Sequence, residues 1–440
     1  MRGIKLGLAL SLCSVVLQTQ GIGRPTILPA PTGTLGIGRV TYHWLDSSRA
    51  EFLESTATSR RELMVDVWYP AGREVRRPRA PYLPGLPHLR RLLSDSVLRR
   101  HFAPAYAPVE AGLVRTHATE GTAARCPAGR CPLLIFSHGG GVDRSFYSSQ
   151  YEDLASNGYI VAVIAHTYDT HLVVFPDGRA IPSAPAPRDT LPPDSTLPRW
   201  RRDLQRELRS QAYLRRVIDV EVGDIRYVMD QMSRYARDAR LRAPFLRQVD
   251  LKRIGALGHS AGGEAAAFAC QVDGRLKACL NQDGVMHNLP FTRDAAGRTM
   301  NQPFMYIGRA YTPSRLSDDQ LASMEMTRLE ADSLFRAIAA GQDDLLSDIP
   351  AGAYRITLKT PGISHMSFSD EPLVEADGDS AKTANALLAL RMVETYSRAF
   401  FDRTLVGRTT TPLDRPTGTD SVTVTVDRFS PSSRPRLSPR

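Results

Sequence analysis

Residues 258 to 262 read Gly-His-Ser-Ala-Gly and set one serine among small neighbours. A serine hydroxyl is a weak nucleophile until a histidine takes its proton and an acid holds that histidine. Gly-x-Ser-x-Gly arises by chance in roughly one chain in seven of this length, so the pattern alone decides little. Its context decides more. Ser260 follows the apolar run RIGALG and opens the alanine-rich AGGEAAAFAC. That order predicts a strand, a sharp turn carrying the hydroxyl, and a helix. Gly258 and Gly262 leave space where a Cβ would clash across the turn, and Gly263 lets the helix approach the sheet. The helix N-terminus adds positive potential where negative charge would develop.

The other parts must follow in the order serine, acid, histidine. Asp283 ends the apolar run KACLNQ and is the candidate acid; the competing reading is a turn-forming Asp before Gly284. The next run, PFMYIG, meets no acid until Asp318. Two histidines follow Asp283. His287 is too near Asp283 in sequence to reach back to the serine. His365, in PGISHMSF after the run YRITLK, is the candidate base. A tetrahedral oxyanion needs about two N–H donors. Ala261, after the serine, supplies one, and Gly140 of the HGGG run after PLLIFS supplies the other. His138 and His259 read as structural supports.

These residues need a sheet to hold them. RVTYHW and ELMVDVWYP read as early strands, and PLLIFS, YIVAVIAH, RIGALG, KACLNQ, PFMYIG and YRITLK as later ones. Between them lie helical stretches: SFYSSQYEDLASNG closed by Gly158, about 198–240 with a stripe from Leu214 through Ile218, Val222, Ile225 and Met229 to Met232, about 318–340, and about 380–403. Strands alternating with helices predict an α/β fold, a mostly parallel sheet with helices on both faces. Residues 176–198, rich in proline, read as a loop that could fold over the mouth as a lid. SVTVTVDRF, within a C-terminal extension from 411 to 440, reads as an edge strand before a disordered tail.

The chain has 440 residues, 42% of them hydrophobic and 23% charged, enough for a large core around one catalytic domain from 22 to 410. The net charge of +10 is spread along the sequence, and no basic-plus-aromatic nucleic-acid module occurs, which argues against nucleic acid. Arg2 and Lys5 precede the apolar run from Leu6 to Leu17. That predicts a signal peptide over 1–21, cut near Thr19 to Gly21, and a secreted or periplasmic protein; a buried first helix is the alternative. Leu12 before Cys13 is too large for a lipidation site. Four further cysteines suit an oxidising setting, as local pairs Cys126–Cys131 and Cys270–Cys279, or else as buried thiols. Their spacing, without companion histidines, does not suit zinc. Residues 86–102 space leucines helically among arginines, for packing on the body or, alternatively, for contact with a lipid surface.

LPAPTGTLGIG, VDVWYP, PLLIFSHGGG, YSSQYEDLASNGYIVAVIAH, GHSAGG, NQDG and GISHMSFSD, in that order from about 28 to 403, resemble the platelet-activating-factor acetylhydrolases of the plasma and intracellular type-II kind. The resemblance implies an α/β-hydrolase fold and calcium-independent serine phospholipase chemistry without metal or organic cofactor. It carries the triad onto Ser260, Asp283 and His365, and the oxyanion donors onto Gly140 and Ala261. It also implies that Val285 and Met286 border the substrate pocket. Gly140, Ala261 and Val285 stand where the animal enzymes have a leucine, an aromatic residue and a tryptophan, which implies a wider acyl pocket. The substrate expected is a short-acyl or oxidised phospholipid ester. A general short-chain or polymeric ester is the alternative, and a catalytically silent fold used for binding is a third reading.

Overall fold

Strands that are apolar on both faces need a layer of helices on each side of their sheet, and the chain supplies both layers. Its structure, a computed structural model, describes residues 27–52, 59–72, 78–86, 91, 108–109, 112–184, 194–238, 241, 247–285, 300–310, 316–360, 362–376, 378–414 and 424–430. The strands are β1 (Gly36–Ala50), β2 (Arg60–Ala71), β3 (Thr119–Glu120), β4 (Cys131–Ser137), β5 (Ile160–Ala165), β6 (Leu172–Val174), β7 (Ala180–Pro182), β8 (Val249–His259), β9 (Leu276–Gln282), β10 (Phe304–Arg309), β11 (Ala353–Leu358) and β12 (Val424–Phe429). One sheet takes them in the order β12-β11-β10-β9-β8-β4-β5-β2-β1-β3. From β5 to β11 its neighbours run parallel. Antiparallel pairs, β5 with β2, β2 with β1, and β11 with β12, extend it on both sides.

The longer helices are α1 (Ser148–Ser156), α2 (Arg199–Arg237), α3 (Ala261–Val272), α4 (Asp318–Ser323), α5 (Arg328–Ser347), α6 (Glu371–Val374) and α7 (Ser380–Phe401). The two-residue period of the strands divides the core. Leu134, Phe136, Val161, Val163 and Leu257 pack with Tyr151 and Leu154 of α1 and Val393 and Phe400 of α7. Leu133, Ile135, Ile160, Ala162 and Ala256 face the other way, against Ile225 and Met229 of α2 and Ala266 and Ala269 of α3. The stripe on α2 is buried from Ile218 to Met232, but Leu214 is exposed.

Two expectations need correction. Residues 176–198 are not all loop, because Ala180–Pro182 pairs antiparallel with Leu172–Val174 in a small hairpin. Proline tolerates such a strand because an edge position wastes no N–H donor. The helical segment from 318 is two helices. It breaks between Ser323 and Arg328, and Thr327 with Glu330 forms a capping box that starts α5. The signal segment, most of 86–102, residues 185–193 of the suspected lid, and the last ten residues lie outside the described residues. Leu86 is half-buried against the core.

Both cysteine pairs lie at disulfide distance, Cys126 with Cys131 and Cys270 with Cys279, with Cα separations of 5.5 and 6.2 Å. The second ties the end of α3 to β9. Beneath the sheet ends, Arg61 is buried and paired with Asp224 of α2 and Glu51. Asp224 Oδ2 also accepts from His166 Nδ1–H at 2.8 Å, and His166 Nε2 lies 3.1 Å from Ser137 Oγ at the end of β4. Among the described residues no helix is long and apolar enough to cross a membrane.

Candidate active site

The turn between β8 and α3 forces Ser260 into a conformation that costs energy: φ is 54° and ψ is −124°. Glycine makes the turn possible. A Cβ on Gly258 would fall 2.3 Å from the Gly262 carbonyl oxygen, and one on Gly262 would fall 2.3 Å from the carbonyl oxygens of Ser137 and His138. The turn is pinned by Ser260 N–H donating to the Gln282 carbonyl at 2.9 Å, while the Ser260 carbonyl accepts from Gly263 at 2.9 Å.

Asp283 stands just past β9, also at positive φ, 51°. Its backbone N–H donates to the Ile307 carbonyl at 2.8 Å, and its side chain is fully buried. His365 opens a short 3₁₀ turn, His365–Phe368, after β11. Its Nδ1 lies 2.7 Å from Asp283 Oδ2 and its Nε2 lies 2.9 Å from Ser260 Oγ. The structure therefore brings together the three residues expected from the sequence. His287 lies outside the described residues.

Gly140 and Ala261 meet beside the serine: a Cβ on Gly140 would lie 3.8 Å from the Ala261 Cβ. The neighbouring amides of the glycine loop are engaged, Gly139 with Tyr147 Oη and Gly141 with the Asp169 carbonyl. Among the described residues the Gly140 and Ala261 N–H groups have no acceptor. Val285 is half-buried and its N–H donates to Glu264 Oε1 of α3 at 3.2 Å. Met286 lies outside the described residues.

Other contacts were not read from the sequence. Arg309, at the end of β10, donates to Asp283 twice, N–H to Oδ1 at 3.1 Å and Nε to Oδ2 at 2.7 Å. The guanidinium thus fixes the carboxylate that faces His365. His259 holds the other side of the base. Burial, then the nearby His365, push its pKa well below the usual histidine range, so it is neutral. Neutral His259 fits one hydrogen-bond pattern: Nε2–H donates to the His365 carbonyl at 2.9 Å, and Nδ1 accepts from Tyr147 Oη–H at 2.9 Å. Tyr147 in turn accepts from Gly139 N–H at 3.1 Å. A single relay therefore joins the glycine loop to the turn carrying His365. His138 is also buried and neutral, its pKa pushed down to about 4 by burial and His166. Its Nδ1–H donates to the Gly139 carbonyl at 2.9 Å and its Nε2 accepts from His166 N–H at 3.1 Å.

Comparison with known proteins gives the same direction. A family model described as platelet-activating factor acetylhydrolase, isoform II, matches residues 26–376. A probable 1-alkyl-2-acetylglycerophosphocholine esterase of Arthroderma benhamiae is 28% identical over 77% of this chain and 81% of its own. The platelet-activating factor acetylhydrolase of Canis lupus familiaris is 29% identical over 40% of this chain and 39% of its own. Among solved structures, a ferulic acid esterase from Streptomyces cinnamoneus superposes with a TM-score of 0.61 at 29% identity, covering 92% of this chain and all of that one. The strand order, the parallel centre and these matches make the fold that of an α/β-hydrolase, and the chain belongs to the platelet-activating factor acetylhydrolase, isoform II, family of ester hydrolases.

Proposed function

We propose that this chain is an exported serine ester hydrolase acting on short-acyl or oxidised phospholipid esters. The observation that carries the reading is the contact series Ser260 Oγ, His365 Nε2, His365 Nδ1 and Asp283 Oδ2, at 2.9 and 2.7 Å, beside two amides that have no acceptor among the described residues. Ser260 Oγ attacks the ester carbonyl carbon while His365 Nε2 takes the hydroxyl proton. The Gly140 and Ala261 N–H groups hold the oxyanion. As the tetrahedral adduct collapses, the alkoxide leaves with the proton from His365, and the acyl group stays on Ser260. Water, deprotonated by the same nitrogen, then attacks the acyl-enzyme and releases the acid. Asp283 accepts the Nδ1–H bond throughout, which fixes the tautomer. Export is supported by the two cysteine pairs at bonding distance.

The second reading is a general short-chain carboxylesterase. It is favoured by the likeness to a ferulic acid esterase and by the small residues Gly140 and Ala261 beside the serine. A fluorophosphonate label separates both readings from a silent fold: it should modify Ser260 and fail on Ser260→Ala. An acyl series of nitrophenyl esters alongside a phospholipid with a short second chain separates the two substrates. Acceptance of butyryl esters at least as well as acetyl esters is expected, since each newly buried CH₂ adds about 0.8 kcal/mol. An unlabelled Ser260 would refute the nucleophile.

A further inference from the structure

Asp169 sets a carboxyl against the candidate site, and none of the steps above uses it. A Cβ on Gly140 would lie 3.7 Å from Asp169 Oδ1 and 3.8 Å from the Ala261 Cβ. The carboxyl, the glycine loop and the residue after Ser260 therefore converge. Gly140 is exposed and Asp169 half-buried, so a bound substrate can reach this carboxyl. The loop is also strapped to it by the Gly141 N–H bond to the Asp169 carbonyl, 2.8 Å long.

Behind Asp169 lies Glu221 of α2, 1% exposed. Among the described residues neither Glu221 oxygen has a donor, and Asp169 Oδ2, buried as well, has none. Two adjoining buried carboxyls resolve this by sharing one proton. Burial, then the charge of Asp169 and a hydrogen bond to it, push the Glu221 carboxyl well above the usual carboxylate range. Glu221 therefore keeps the shared proton and donates it to Asp169. Arg61, whose charge acts on Glu221, is itself bound to Asp224 and Glu51.

A carboxylate beside Gly140 opposes the negative charge that grows on the ester oxygen. A cation on the substrate would cancel that opposition, and an anion would add to it. We propose that Asp169 is a specificity-determining residue that sorts esters by charge, favouring those with an ammonium group near the scissile bond over those with an anion there. The proposal rests on Ser260 being the nucleophile. The protein as a whole, at +10, would draw anions instead, so a cation preference has to come from a local charge.

The test uses three thioesters with one acetyl group in common: acetylthiocholine, its neutral tert-butyl isostere, and S-acetyl mercaptoethanesulfonate. Thiol release gives kcat/KM for each. The full-length protein is expected to favour the cation over the anion by about tenfold, with the gap closing as salt rises. Asp169→Asn should bring the ratio to about one or invert it. Glu221→Gln keeps an N–H donor to Asp169 and should keep the preference. A ratio near one in the unmutated protein, at low salt, overturns the proposal without need of any variant, as does a ratio unchanged by Asp169→Asn. Absence of turnover with the neutral thioester would overturn the esterase reading, and the charge selection with it.

Discussion

Asp370 lies just past the turn that carries His365, in a fully buried position. It accepts from Ser149 Oγ, from Ser149 N–H at 3.3 Å and from Tyr82 Oη–H at 3.3 Å. Those bonds favour the charged form, but burial outweighs them and, with nearby Glu152, pushes the pKa from 3.8 up to about 7. An acid whose pKa is higher folded than unfolded binds its proton more tightly in the native state. Its contribution to stability is complete below about pH 4 and is lost as pH rises to about 7. Three pH units at about 1.4 kcal/mol each set a ceiling of roughly 4 kcal/mol, and relaxation around the charge brings the expected loss to about 2–4 kcal/mol. Asp370→Asn keeps the shape and cannot ionise. Urea unfolding of both proteins at steps from about pH 4 to 8 isolates the effect, because subtraction removes Asp66 and Asp224, whose arginine partners hold them below the usual range. The stability of the unmutated protein relative to Asp370→Asn should fall steadily with pH. A difference constant to within about 0.5 kcal/mol across that range would refute the buried-acid argument.

Arg61→Met should destabilise the chain by about 3–5 kcal/mol, since buried Glu51 would lose its cation and Asp224 would keep only Arg49; a loss under about 1 kcal/mol in denaturant would contradict this. Replacing Cys270 and Cys279 together by serine should cost about 2–3 kcal/mol through the loop they close. A full count of free thiols in the unreduced protein would remove that prediction's basis.

Legibility in the sequence followed the range of each signal. The elbow at Ser260 is local, because strand, glycines and helix are contiguous, and the strands announced themselves as apolar runs. Asp283 and His365 followed from chain order together with the ends of predicted strands. Arg309 did not, although it also ends a strand. Nothing in PFMYIGR says that its guanidinium turns towards the carboxylate just past β9. The Tyr147–His259–His365 relay and the Asp169–Glu221 pair are invisible for the same reason: their partners are far apart in the chain and share no periodicity. The break before α5 is different. Thr327-Arg-Leu-Glu330 is a capping-box pattern, and reading it would have split the helix correctly. The small hairpin at Ala180–Pro182 was hidden by proline, a residue that usually argues against a strand.

The last described strand has a consequence for handling this protein. β12 covers the edge of β11, the strand that delivers the chain to His365, with pairing that runs from Ala353↔Phe429 to Leu358↔Val424. Without it, the six residues of β11 would offer unpaired N–H and C=O groups to any passing chain. At the opposite border β3 pairs with only Gly38 and Arg39 of β1. Trimming the polar C-terminus back past Val424 to tidy an expression clone would thus open the one long edge the fold has closed. The expected symptom is association between molecules, seen as scattering or fibre-dye binding, before any change in helix content.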